Sequence, residues 1–274
     1  MEGTFAAHPE NATDWPAKFW QQCMRDTDCF PLPSSYEKES IEPGTTADKI
    51  RELQSELVRH CNETRVTTDV DSRHDTVFGT ALYCVGILHE LLQPGIGASV
   101  IARSAIRTLT ECCITLAYLL FKDSSELWKS YRAYSAGQAK LSLLKIEEAN
   151  DKPSSIAPQT LSGLANEDAW QELVPIDLGH WDKSDLRKMS EEAEKKDVYD
   201  KFYGWTSTYS HGHWAAVRDV VFDTCGNPLH RLHRIPRIET RTLPDAVKDA
   251  CSLVDQVLDL VSKAYPEFRL RTSL

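Results

Sequence analysis

Most of the short motifs that announce a common chemistry are missing from this sequence. It holds no G-x-x-x-x-G-K-[ST] and no G-x-G-x-x-G, so the usual glycine-rich cradles for nucleotide phosphates are absent. Neither H-E-x-x-H nor G-x-S-x-G occurs, which removes the ordinary support for a zinc-protease or an α/β-hydrolase reading. There is no C-x-x-C among eight cysteines, at 23, 29, 61, 84, 112, 113, 225 and 251. Four of them (Cys61, Cys84, Cys113 and Cys251) fall inside apolar helical patterns, so they read as reduced, buried thiols of a cytoplasmic protein rather than a disulfide framework. The N-terminal stretch MEGTFAAHPENATDW has neither a basic n-region nor an apolar h-region, and no secretory signal is expected from it. The sequons at Asn11 and Asn62 then carry no meaning. No internal repeat, heptad run or low-complexity tract is present.

Excess positive charge is lacking too. The 274 residues carry a formal charge of −10, which disfavours general binding to nucleic acid or a membrane surface, where attraction to phosphate dominates. A polyanion would need a local basic patch. The most apolar run, residues 95–121, has Arg103, Arg107 and Glu111 at its centre, so no membrane span is expected. The apolar share of 41% is enough for a substantial core.

Helical periodicity organises what is there. Residues 1–46 hold five prolines and no sustained period, and they read as an extension packing on a single helical domain, 47–274. Within the extension, Asp14-Trp15-Pro16 starts a short helix with Asp14 as its cap. Ile50, Leu53, Leu57 and Val58 mark a helix over about 46–62, and Phe78 to Leu92 a second one ended by Gln93-Pro94-Gly95. Residues 97–121 form the longest apolar helix. Ser124 or Ser125 caps the next, 126–148. A long connection, 150–183, shows little periodicity and is a candidate flap. A further helix begins at 182–184, breaks near Lys195, and leads into one that runs to about Val221. Residues 230–241 read as extended because of Pro236 and Pro244, and a last helix spans 245–265. The expected fold is an all-α helical bundle of six or seven helices.

Polar residues at core spacing single out one stretch. Tyr199, Tyr203, Ser207 and His211 recur at four-residue steps, which on an α-helix makes one slowly turning face. A core stripe would be aliphatic. Phenols, a hydroxyl and an imidazole need hydrogen-bond partners if buried. Arg103, Arg107, Glu111 and Thr115 offer the same spacing on another helix. Glu111 could accept from His211 or a tyrosine, and Arg103 with Arg107 could form a cationic fork for phosphate or carboxylate. The competing reading is a buried polar network that fixes helix register and binds nothing.

Two histidine pairs bear on metals. His211-x-His213 would diverge on a continuous helix, and His230-x-x-His233 has only Cys225 as an evident soft companion, so no metal or other cofactor is expected. Arg231, Arg234, Arg237 and Arg241 make residues 230–241 the one concentrated basic segment. Arg231 and Arg234 are candidates for contacting a nucleotide or nucleic-acid phosphate, against the plainer reading of an extended linker with solvated charges.

Three spaced motifs carry a resemblance. Arg107-Thr-Leu-Thr-Glu111 in a long apolar helix, Asp185-Leu-Arg-Lys-Met-Ser, and Tyr199-x3-Tyr203-x3-Ser207-x3-His211-Gly212 resemble a widespread uncharacterised microbial family, the domain of unknown function DUF5677, over residues 75–220. The resemblance implies an all-helical fold and marks Arg107, Glu111, Tyr203, Ser207 and His211 as the site, with no established reaction. In architecture and polar content the chain is also similar to HEPN helical domains, many of them metal-independent ribonucleases of toxin and phage-defence systems. Their Arg-then-His motif is reversed here, since His211 precedes Arg218.

The expectation is therefore a cytoplasmic bundle of defence or stress-response type. Its catalytic candidates are His211, Arg107, Glu111, Tyr203 and Ser207, with Arg103, Tyr199, Arg231 and Arg234 as ligand contacts. RNA cleavage without a metal is the most concrete version, with RNA or a nucleotide, a protein partner and a second copy of the chain as candidate partners. The alternative is a non-enzymatic helical interaction module.

Overall fold

A computed structural model of the chain describes residues 15–32, 46–150, 153–166, 180–231 and 233–272. The Asn11 sequon, the Asp14 cap, Pro175 and most prolines of the extension lie outside them. The architecture is the all-α bundle that the periodicity predicts. Five long helices carry it: α2 (Ala47–Thr64), α3 (Ser72–Leu91), α4 (Val100–Lys122), α5 (Ser125–Glu148) and α11 (Val247–Ala264). A shorter α1 (Trp15–Asp26) precedes them, with Pro16 in its first turn. Side-chain caps start several of these helices. Thr46 Oγ1 accepts from Lys49 N, Asp71 from His74 N and Ser124 from Leu127 N, each satisfying an otherwise orphaned N–H.

α4 is the axis of the molecule. One flank packs on α3 and α11; the other carries the segments between 186 and 210. Its inward residues Ile106, Leu109, Cys113, Ile114 and Leu116 are buried against Val254, Val257, Leu258 and Val261 of α11 and against Phe78, Ala81 and Val85 of α3. By length and composition α4 could cross a membrane, yet half of its most apolar window is buried inside the bundle. At its end Asp123 adopts the left-handed conformation and accepts from Arg73 Nε (2.8 Å) and Trp128 Nε1 (3.0 Å). The Arg73 guanidinium holds the Asp123 carboxyl below the usual carboxylate range.

The sequence reading places two helices between 182 and 221, whereas the structure divides this stretch into five pieces. α7 (Leu186–Glu192) starts at Asp185, which caps Lys188 N at 2.8 Å, rather than at 182–184. The chain then turns at Glu194 (φ 55°) and runs through α8 (Lys196–Val198), a π-helical turn (Tyr199–Tyr203), α9 (Gly204–Ser210) and α10 (Trp214–Val221). The connection 150–183 also contains a helix, α6 (Pro158–Asn166), packed along α5.

Gly212 is why the helix stops at His211. Its φ of 60° lets His213 N bond to Thr208 O (2.9 Å) and Gly212 N to Tyr209 O (3.3 Å), the paired bonds of a Schellman terminus. A Cβ here would meet no atom within 4 Å, so the cost of Gly212→Ala is backbone strain alone. A loss of about 1 kcal/mol in a urea melt is expected; no loss would mean that the turn adapts to a right-handed residue.

After α10, β1 (Phe222–Thr224) pairs antiparallel with β2 (Arg234–Pro236), in the segment expected to be extended. Residues 30–32 add a third edge: Leu32 N bonds to Thr224 O, Gly226 N bonds to Phe30 O, and Pro31 bridges Cys225. α1 and the segment after it thus dock on the ribbon far along the chain.

Candidate functional site

The two polar stripes do face each other, because α4 lies against the π turn and α9. Arg107 is the centre of the seam. Its Nε and Nη2 both donate to Glu111 Oε1, at 2.9 and 2.7 Å, one helical turn along α4. Across the seam its guanidinium carbon stands 3.6 Å from the centroid of the Tyr203 ring, a close cation–π contact. The interhelical contact therefore uses the face of the phenol rather than its hydroxyl.

The π turn shapes this contact. With i→i+5 pairing the backbone widens, and residues four apart come closer to one line than on an α-helix. Tyr199 and Tyr203 consequently stack, with centroids 4.5 Å apart and planes 18° off parallel. Burial pushes the Tyr199 phenol up, and the neighbouring Tyr203 adds to the shift. The result is a two-ring wall with Arg107 laid on one end of it. Phe202, between the tyrosines, turns into the core and anchors the wall.

Burial across the seam is uneven. The Arg107 side chain is 12% exposed and that of Glu111 45%. Arg107 Nη1 is buried and has no hydrogen-bond partner among the described residues. Ser207, one turn beyond Tyr203, is half-buried, and its hydroxyl makes no side-chain hydrogen bond among the described residues. His211 lies past the end of α9 and is exposed, stacked on His213 at 5.7 Å between centroids. No hydrogen bond or ion pair joins His211 to Arg107 or Glu111 among the described residues. The Glu111–His211 contact expected from the matched spacing is not made, because the helix ends where the fourth stripe residue stands.

Three other expected ligand contacts lie apart from the seam. Arg103 does not join Arg107 in a fork: its Nη2 donates to the carbonyl of Pro244, tying α4 to the segment before α11. Arg231, with φ of 45°, sits over the ring of Trp20 on α1. Arg234 is in β2 and donates to Thr224 Oγ1 across the ribbon. Two arginines of the basic segment share one carboxylate of the neighbouring strand, since Asp223 takes both Arg237 (2.9 Å) and Arg241 (2.8 Å).

The residues able to hold a metal are elsewhere again. Cys29, Cys225, His230 and His233 bring their donor atoms within 4.8 Å of one another. The sequence reading had His230, His233 and Cys225 but no fourth ligand, because Cys29 lies about two hundred residues away. An open hollow of about 480 Å³ beside Lys122 and Trp181 is another concavity, with Lys122 already paired to Glu192 at 2.6 Å.

Fold and seam define the class: an all-helical bundle with a largely covered arginine, paired to a half-exposed glutamate, laid on a tyrosine stack between adjacent helices. Residues 89–227, half of the chain, match the family of unknown function DUF5677, and the chain belongs to that family. The match begins near the end of α3 and covers α4, the π turn and α9, so the seam lies wholly within it. No curated protein and no solved structure matches the chain.

Proposed function

We propose that this chain is a cytoplasmic protein that binds a phosphate-bearing ligand in the seam between α4 and the π turn, with RNA as the concrete candidate. The observation that carries the reading is the orphaned Arg107 Nη1. Nearly all buried polar groups have a partner, and a charged donor without one invites an anionic oxygen. Glu111 and Tyr203 hold the guanidinium in place, so a ligand would meet a fixed donor rather than a mobile one. The tyrosine wall supplies a surface on which a base could stack. Ser207 and His211 lie further along the same direction, toward solvent.

In the catalytic version, of the kind found among HEPN-like nucleases of defence systems, the ribose 2′-oxygen attacks the adjacent phosphorus. Its proton passes to His211, the 5′-oxygen leaves, and a 2′,3′-cyclic phosphate remains. An imidazole can serve as general base in this transfer, and His213 stacked beside it could return a proton to the leaving oxygen. Arg107 would stabilise charge on the phosphorane. Arg103 has no part in it.

A second reading has its own support: Arg107, Glu111 and Tyr203 already satisfy most of one another's needs, as a network in a non-enzymatic interaction module would. Labelled single-stranded RNA incubated with the full chain in EDTA separates the two. Binding that weakens at least tenfold in Arg107→Met, with cleavage lost in a folded His211→Ala, is the expected result. RNA left unbound and intact by the wild-type protein would favour the module.

A further inference from the structure

We propose that Cys29, Cys225, His230 and His233 form a closed, tetrahedral zinc site that fastens the N-terminal segment to the ribbon. Three sulfur–nitrogen distances fit the edges of a zinc tetrahedron, and all four donors lie within 4.8 Å of one another. Cys29 Sγ lies 3.4 Å from His230 Nδ1 and 3.8 Å from His233 Nε2, and Cys225 Sγ lies 3.3 Å from His230 Nδ1. Zinc–sulfur bonds of about 2.3 Å and zinc–nitrogen bonds of about 2.0–2.1 Å require S···N edges of about 3.6 Å. Two thiolates with two imidazoles favour zinc over the hard cations, and four protein ligands leave no open position for catalysis.

The surroundings of His230 prepare it as a ligand. Thr27 Oγ1 donates its one proton to Cys23 O (2.8 Å) and accepts from Asn227 Nδ2 (3.1 Å). The remaining contact, His230 Nε2 at 2.8 Å, is then an N–H donating to the same hydroxyl. That assignment leaves Nδ1 bare, facing both sulfurs. Fixing one ring nitrogen so that the other presents its lone pair is the usual support of a metal-bound histidine. His230 and Cys225 are buried, while His233 is half-buried and Cys29 exposed, so the site is rooted in the fold and opens to the surface on the side of the N-terminal segment.

The backbone holds the distant ligand in register. Cys29 leaves α1 just before the bridge between Pro31 and Cys225, and Asn227 Nδ2 bonds to Asp28 O at 2.8 Å. Cys225 N bonds to His233 O at 2.8 Å, closing the other three ligands into one loop. Gly226 permits the approach, since a Cβ there would stand 2.6 Å from the ring of Phe30.

The full chain, stripped with chelator and dialysed against zinc chloride, should bind one zinc per molecule. Cobalt in its place should give the intense visible bands of a tetrahedral thiolate site. Cys29→Ser, at an exposed position, should lose stoichiometric binding while keeping its helical circular dichroism, and Cys61→Ser should retain it. Thr27→Ala should weaken zinc by about 10–100-fold, as loss of an outer-shell partner does. Zinc should also protect Cys29 from alkylation in the wild-type chain, a readout independent of any variant's folding. Substoichiometric zinc, an octahedral cobalt spectrum, or alkylation of Cys29 unaffected by zinc would overturn the proposal.

Discussion

Phe78→Ala is expected to destabilise the protein by about 3–5 kcal/mol, the range for removing a buried aromatic ring. Phe78 is 1% exposed and stands at the junction of α2, α3 and the C-terminal segment. Its ring lies 4.8 Å from those of His74 and Tyr265 and 6.0 Å from that of His60. Leu, Ile and Val can shift to fill a gap, but these planar neighbours are held by other bonds. His74 Nε2 meets Thr64 Oγ1 at 3.1 Å, and Arg73 lies over the Tyr265 ring. The cavity would therefore persist. It would also open beside His60 Nε2 and His74 Nδ1, two buried nitrogens with no hydrogen-bond partner among the described residues. Since whole domains are stable by about 5–15 kcal/mol, this one ring is a large share. Urea melts should show the midpoint falling at constant slope; a loss below about 1 kcal/mol would mean that this cluster lies outside the cooperative core.

Glu111→Ala should cost about 1–3 kcal/mol, and Arg107→Met about 1 kcal/mol or less. The asymmetry follows from burial. Removing the carboxylate leaves a guanidinium that is 12% exposed with no counter-charge, and its Nη1 lacks a partner already. Removing the guanidinium leaves a carboxylate that is 45% exposed and hydrated, while methionine keeps much of the packing on Tyr203. An exposed pair would give equal, small losses for either change. Urea melts of both variants measure the difference. Arg107→Met proving the costlier change would mean that the cation–π contact, rather than the ion pair, holds the seam. If the seam takes an anion, added phosphate should restore part of the Glu111→Ala loss, because a ligand oxygen would occupy the place of the carboxylate.

These expectations rest on different kinds of information. The core faces of α2, α3, α4 and α11 were legible from spacing, since Ile50, Leu53 and Leu57, or Val254, Val257, Leu258 and Val261, repeat with the helical period and are buried. The pairing of the two polar stripes could be inferred because both keep a four-residue step. The details of the seam could not. A π turn has no sequence signature that distinguishes YDKFY from an α-helical turn, and it decides that Arg107 meets the ring of Tyr203. The end of α9 was readable in principle from Gly212, whose left-handed conformation is the standard way to close a helix. Reading a single helix through it to Val221 gave His211 a reach toward Glu111 that it does not have.

The sequence by itself determined the all-α class, the long helices and the seam's residues, because periodicity and capping are local and each residue carries its own share of the signal. Only the tertiary structure decided which partners those residues meet. Arg103 went to a backbone carbonyl at 244, Arg231 to Trp20, and Cys29 to a thiol and two imidazoles near residue 230. Each of those contacts spans more than 140 positions of chain, over which sequence spacing carries no geometric information; the packing of α1 on the ribbon and of α4 on α11 supplies it.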